Sequence, residues 1–221
     1  MPKTRHTAAP LLALTLLAGC TGIPDGITPV QGFEPKRYLG DWHEIMRLDH
    51  RFERGLTQLS ARYAARDDGS LSVANRGFDP EECAWQDADG SAVFQGARDV
   101  ASLSVTFFWP FAGGYHVIAL DREGYDWAMV AGPTRDHLWI LARDAEMAPE
   151  IRADLVAQTR ELGFPVEELI LVDHSPSACI PDARGDRARL GPVPLRLMGR
   201  PGCRGHASGR SPLGAVFAPQ A

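Results

Sequence analysis

The stretch Arg37-Tyr-Leu-Gly-Asp-Trp-His-Glu-Ile-Met-Arg-Leu-Asp-His-Arg-Phe-Glu-Arg-Gly-Leu56 decides how this 221-residue chain is read. A candidate strand covers Asp41 to Asp49, a charged loop follows, and Thr57 to Ala65 resumes with Leu59, Ala61 and Tyr63 on one face. Asp67-Asp68-Gly69 then supplies a tight hairpin turn, and Leu71 to Phe78 returns with Leu71 and Val73 alternating. The same period of two recurs at Ala92 to Arg98, Leu103 to Phe108, Gly114 to Leu120, Asp126 to Ala131 and His137 to Arg143. Eight successive hairpin-linked strands allow the last to pair with the first, which removes both exposed edges.

One stretch breaks that rhythm. Pro149 to Leu162 places Ile151, Leu155, Thr159 and Leu162 at helical spacing, with Pro149 suited to the first helical position and Gly163 to the C-terminal cap. Leu169 to Val172 then reads as a short last strand. The expected fold is all-β: an eight-stranded antiparallel up-and-down β-barrel with one C-terminal α-helix packed outside, so that the lumen stays available.

Outward from the barrel the chain changes character. Thr21 to Gly32 holds two prolines and three glycines, and residues 20–32 are expected to form a flexible tether. Before it, Lys3 and Arg5 precede an apolar run from Ala8 to Ala18, too short to span a bilayer and typical of a signal peptide over residues 1–19. That run ends in Leu17-Ala18-Gly19-Cys20, which resembles the lipobox of bacterial lipoproteins. The resemblance implies cleavage before Cys20, diacylation of its thiol and a membrane held through the lipid. Each buried methylene contributes about 0.8 kcal/mol, so two or three acyl chains anchor a protein firmly. Thr21, rather than an aspartate, follows the cysteine, and the pattern then implies the periplasmic face of the outer membrane.

The formal charge of −5 conceals a division. Residues 1–19 carry two bases and no acid; residues 180–221 carry seven arginines against Asp182 and Asp186; the remainder holds 14 bases and 26 acids, a net −12. An acidic body over residues 33–180 is repelled by phosphate backbones, which argues against nucleic-acid binding. The segment 181–221, rich in Arg, Gly and Pro without alternation, is expected to be a disordered basic tail.

Gly40-Asp41-Trp42 at the opening of the first strand, eight strands and one late helix resemble the lipocalin family. Gly113-Gly-Tyr-His-Val-Ile-Ala-Leu-Asp-Arg-Glu123 and Leu138-Trp-Ile-Leu-Ala-Arg143 bring the chain closest to the bacterial outer-membrane lipocalin lipoproteins. The resemblance implies structural roles for Gly40, Trp42 and Arg143, with Trp42 plugging the closed end and the Arg143 guanidinium lying across it. It also implies a disulfide between Cys83 and Cys179, which the chain-entropy model credits with up to about 4.7 kcal/mol and which leaves Cys203 over.

Alternation assigns Met46, Leu59, Tyr63, Phe94, Leu103, Val105, Phe107, Tyr115, Val117 and Trp139 to the lumen, subject to bulges that flip a face. Burying about 14 methylenes of an acyl chain yields on the order of 11 kcal/mol gross, against an association cost of roughly 4–15 kcal/mol. A fatty acid or lysophospholipid is therefore the expected ligand, and its binding needs no charged anchor deep inside. Arg47, His50, Arg51 and Arg54 gather at the first loop, where a carboxylate or phosphate head group could sit; the alternative is a solvated loop.

No Gly-x-Ser-x-Gly elbow occurs, and His43-Glu44 is followed by Ile45, Met46 and Arg47 instead of completing a zinc-protease motif. Alternation scatters His43, Glu44, Asp49 and His50, so no metal, cofactor or catalytic residue is expected. The expected function is a membrane-anchored lipocalin that binds, stores or transports fatty acids or lysophospholipids in envelope maintenance. The alternative is a lipocalin-fold enzyme acting on a lipid within the calyx. Homodimerisation is left open.

Overall fold

The computed structural model describes residues 21–176 and 179. The expected signal peptide, Cys20, the tail 181–221 and Cys203 lie outside the described residues. A short helix α1 (Pro35–Tyr38) leads into β1 (Gly40–Leu48), β2 (Thr57–Ala65), β3 (Leu71–Asp79), β4 (Ala84–Phe94), β5 (Ser102–Phe108), β6 (Phe111–Leu120), β7 (Trp127–Ala131) and β8 (Leu138–Ala142). Helix α2 (Pro149–Glu161), a 3-10 turn at Val166–Glu168 and β9 (Leu169–Leu171) follow. Neighbours in sequence pair antiparallel from β2 to β8, and β1 closes the ring by pairing with both β8 and β2. This is the closed eight-stranded barrel that the alternation predicts, with one strand added.

The added strand sits at the seam. β1 pairs with β2 only through Gly40–His43, at the end where the strand begins. Its far half, Met46–Leu48, pairs instead with β9, and Gln58 N–H donates to Asp173 O at 2.8 Å to join the C-terminal segment to β2. A recess of about 380 Å³ lies in this gap, lined by Arg47, Asp49, residues 54–57 and residues 170–173.

Apolar side chains separate into two layers. The inner layer includes Phe33, Tyr38, Trp42, Ala61, Tyr63, Leu103, Val117 and Val130; the outer one joins Ile45, Leu48, Met129, Leu138 and Ile140 to Leu155 and Phe164 of the helical segment. Leu155 and Thr159 are the buried residues of α2. Past its end Gly163, at φ +78°, allows Gly163 N–H to reach Arg160 O and Phe164 N–H to reach Thr159 O, the double bond of a Schellman cap.

Two expectations change here. β4 begins at Ala84 and ends at Phe94, not over Ala92 to Arg98. Past Trp85 its first half carries Gln86, Asp87 and Asp89 on exposed positions with only the small Ala88 and Gly90 beside them, so no apolar alternation reveals it. Gln95-Gly96, with Gly96 at φ +102°, ends the strand before Arg98. The segment expected to be a tether is packed on the barrel. Ile27 and Val30 are buried, Val30 N–H donates to Val117 O at 2.8 Å, Ala101 N–H donates to Val30 O at 2.9 Å, and Gln31 bridges Val100.

Candidate functional site

The barrel has one closed and one open end, and the two are built differently. At the closed end Trp42 is fully buried, its indole N–H donating to Tyr38 O at 2.8 Å. The Arg143 guanidinium lies 3.9 Å from the Trp42 ring centroid. Its remaining donors reach Asp41 O at 2.8 Å, Arg37 O at 2.7 Å and Tyr125 O at 3.2 Å. Gly40 lies under this guanidinium at φ +96°, where a Cβ would come within 3.5 Å of an Arg143 nitrogen. Tyr125, at φ +60°, closes the floor from a turn held by the Asp121 carboxylate, which accepts from Glu123, Gly124 and Asp126 N–H. Every polar group named here has a partner.

Above the floor, three phenols meet. Tyr115 O–H lies 2.7 Å from Tyr38 O–H and 2.9 Å from Tyr63 O–H. Burial pushes all three hydroxyls above the usual phenol range, so they stay neutral. Phe94, Val105, Phe107, Tyr115 and Trp139 pack on the inner layer while keeping part of their surface open. Inward positions that remain half-exposed mark a lumen that solvent can enter. Gly90 faces this wall: a Cβ there would meet the Phe107 ring and Thr106 O at 2.8 Å.

Near the mouth the lining becomes charged. Register with β8 slips between Glu44 and Met46, a bulge in β1. Trp42 and Glu44 face inward before it. After it Met46 pairs with Ile140 of the outer layer, and Arg47 pairs with Trp139 of the inner one. Met46 therefore packs outside, not in the lumen, and Arg47 takes the inward place. Arg47 and Glu44 are 2% and 5% exposed, ionisable side chains in a lumen whose expected lining is apolar and aromatic. Tyr63, Leu103, Val117, Tyr115, Phe94, Val105, Phe107 and Trp139 belong to the inner layer or pack on it. Leu59 is buried on the same strand face as Ala61 and Tyr63.

Arg47 reaches Glu53 O at 2.8 Å and Leu48 O at 3.4 Å, which draws the first loop back over the strand. Glu53 Oε2 accepts the Trp139 indole N–H at 3.2 Å and lies 2.8 Å from His50 Nε2, in ion-pair range but off the line of a good hydrogen bond. Burial opposes the Glu53 charge, yet His50, Trp139 and Arg47 together hold the carboxyl below its usual range. Glu44 goes the other way. Burial and the neighbouring Glu53 charge push it well up, only partly offset by Arg47, which favours its neutral form. Four buried polar atoms among the described residues lack a well-directed partner: Glu44 Oε2, Arg47 Nε, His50 Nε2 and Asn75 Oδ1. Of the basic residues expected at the mouth, Arg47 and His50 join this cluster, while Arg51 and Arg54 are exposed.

Cys83 and Cys179 are brought together as neighbouring thiols; the hydrogen bond with Cys179 pushes the Cys83 thiol up. No group of three or more His, Cys, Asp or Glu side chains suited to a metal occurs among the described residues.

A closed antiparallel calyx with a plugged floor and an open, partly polar mouth is the architecture of a small-ligand binding barrel. A family model described as a lipocalin-like domain matches residues 33–174, and the chain belongs to the lipocalin family. Among curated relatives it is 51% identical over 149 residues to the outer membrane lipoprotein Blc of Escherichia coli K12, covering 67% of this chain and 84% of that one. It is 44% identical over 162 residues to the Blc of Vibrio cholerae, covering 73% and 95%. Apolipoprotein D of Bos taurus is 31% identical over 181 residues, covering 74% and 94%. Among solved structures, insecticyanin of the tobacco hornworm superposes with a TM-score of 0.56 at 22% identity, over 72% of this chain and 90% of that one, which shows the fold.

Proposed function

We propose that this protein binds a single-headed lipid, a fatty acid or lysophospholipid, inside the calyx, and stores or carries it at the periplasmic face of the outer membrane during envelope maintenance. The observation that carries the reading is the buried cluster of Glu44, Arg47, His50 and Glu53 set above an apolar lumen. A neutral Glu44 donates rather than repels, Arg47 Nε–H sits 3.9 Å from Glu53 Oε2 with no hydrogen bond, and an oxyanion head group supplies one. The acyl chain then runs down past Phe107 and Val105 toward the tyrosines. Leu59, Tyr63, Phe94, Leu103, Tyr115, Val117 and Trp139 complete its walls. Anchorage through an acylated Cys20 is supported by the lipobox pattern and by the names of the bacterial relatives. The Cys83–Cys179 disulfide is supported by the adjacency of the two thiols.

The reading is tested by titrating a form that begins at Thr21 with a fluorescent fatty acid and with the alcohol of equal chain length. Preference for the acid is expected, and Arg47→Met is expected to remove it by about tenfold, the share of one charge-assisted hydrogen bond. Equal binding of acid and alcohol by the unaltered protein would discard the head-group site. The rival reading, an enzyme acting on lipid in the calyx, predicts turnover of added lysophospholipid. Native mass spectrometry of protein taken from cells distinguishes it, because a carrier retains intact lipid.

A further inference from the structure

We infer that the mouth of the calyx is seated on the lipid leaflet, through the aromatic tip of the β5–β6 hairpin. The inference rests on the proposed acylation of Cys20. Phe108, Trp109 and Phe111 occupy this tip at 53%, 89% and 50% exposure. Phe52, at 61%, lies on the β1–β2 loop at the same end of the barrel, across the opening. Three large aromatics on one turn are a costly surface to leave in water and an ordinary one at a bilayer interface.

The start of the described chain says what covers them. Thr21 is not at the end of a slack tether. Its carbonyl accepts from Gln95 Nε2 at 3.0 Å, and the Gly22 carbonyl accepts from His116 Nε2 at 2.8 Å. Burial lowers the proton affinity of His116, which keeps Nδ1 free to accept from Ser102 Oγ at 2.9 Å. Gly114 lies beneath the crossing, where a Cβ would come within 2.8 Å of Gly22 O and 3.1 Å of Thr21 O. Cys20 is one Cα step, about 3.8 Å, from Thr21. Gly114 is three residues along β6 from Phe111, a rise of about 10 Å. An acyl anchor attached there with no slack holds this wall of the barrel at the bilayer surface, within reach of the aromatic tip. Arg51 beside Phe52 suits the phosphate layer, while exposed Glu81 and Glu82 on the β3–β4 connection keep the insertion shallow.

The test uses full-length acylated protein reconstituted in phosphatidylethanolamine–phosphatidylglycerol vesicles whose chains are brominated near the head group or near the methyl end. The Trp109 signal is the difference between the unaltered protein and Trp109→Phe, a conservative change at an exposed site. Strong quenching of that signal by bromine near the head group, and little by bromine near the methyl end, is the expected result. A companion variant with Phe108, Trp109 and Phe111 all changed to Ser should draw fluorescent fatty acid from vesicles about tenfold more slowly while binding it in free solution as before. An unquenched Trp109 in protein whose intact mass includes the acyl chains overturns the docking and leaves the anchor standing. A mass without acyl chains overturns the anchor, and the inference with it. A dimer in which Trp109 is shielded without vesicles overturns it in favour of a second copy.

Discussion

The two ends of the barrel solve opposite problems with similar residues. At the floor, Arg143 over Trp42 spends its donors on three backbone carbonyls. At the mouth, Arg47 beside Trp139 and Glu53 keeps Nε without a hydrogen bond, 3.9 Å from Glu53 Oε2. A satisfied polar group rigidifies; an unsatisfied one is a standing cost that a ligand can relieve. Stability should therefore be concentrated at the floor and recognition at the mouth, and substitutions can separate them.

The largest effect is expected from Trp42→Ala. Removing a fully buried indole should destabilise by about 3–5 kcal/mol, read from denaturant unfolding, with fatty-acid affinity in the folded fraction little changed. A comparable loss of affinity would erase the division between the ends. Arg143→Ala should cost about 2 kcal/mol through the lost stacking and carbonyl bonds, again without changing affinity. Gly90→Val acts between the two: Phe107 must turn into the lumen, costing about 1–3 kcal/mol and weakening long-chain ligands more than short ones in competition titrations.

The smallest effect belongs to Glu44→Gln near pH 5, under about 0.5 kcal/mol, because the folded protein already holds this carboxyl protonated. Its value lies in the pH dependence. A carboxyl raised in the folded state is ionised only in the unfolded chain as pH climbs past the ordinary value of 4.5, so its contribution falls with rising pH until the folded group also titrates. Glu53, lowered, contributes in the opposite sense and is lost as pH falls. Unfolding measured from pH 5 to pH 8 should show a decline in stability that Glu44→Gln flattens. An unchanged slope would mean that Glu44 does not carry this pH dependence.

Much of this architecture is legible from residues that alternate. β2 is found end to end because Leu59, Ala61 and Tyr63 mark one buried face and Arg62 and Ala64 the other. The first half of β4 is nearly silent because, past Trp85, Ala88 and Gly90 are small and Gln86, Asp87 and Asp89 are polar and exposed. The mouth is harder still. A single bulge exchanges Met46 for Arg47, and nothing in the run Glu44-Ile-Met-Arg47 announces where the extra residue falls. An alternation rule also favours apolar residues for the interior, so a buried acid and a buried base are the residues it passes over. Trp42 and Arg143 stand out in sequence through a family pattern, whereas Glu44 and Glu53 matter through a proximity that folding alone creates.

The seam at β9 gives the calyx a shape as well as a closure. Near Gly40 the wall is eight strands around; near Leu48 a ninth is let in between β1 and the C-terminal bond to Gln58. Strands lie about 4.8 Å apart, so the perimeter widens by about that much from base to rim and the vessel is a truncated cone. A guest with a thin tail and a broad head fits it in one direction only, and the taper orients that guest before any hydrogen bond has formed.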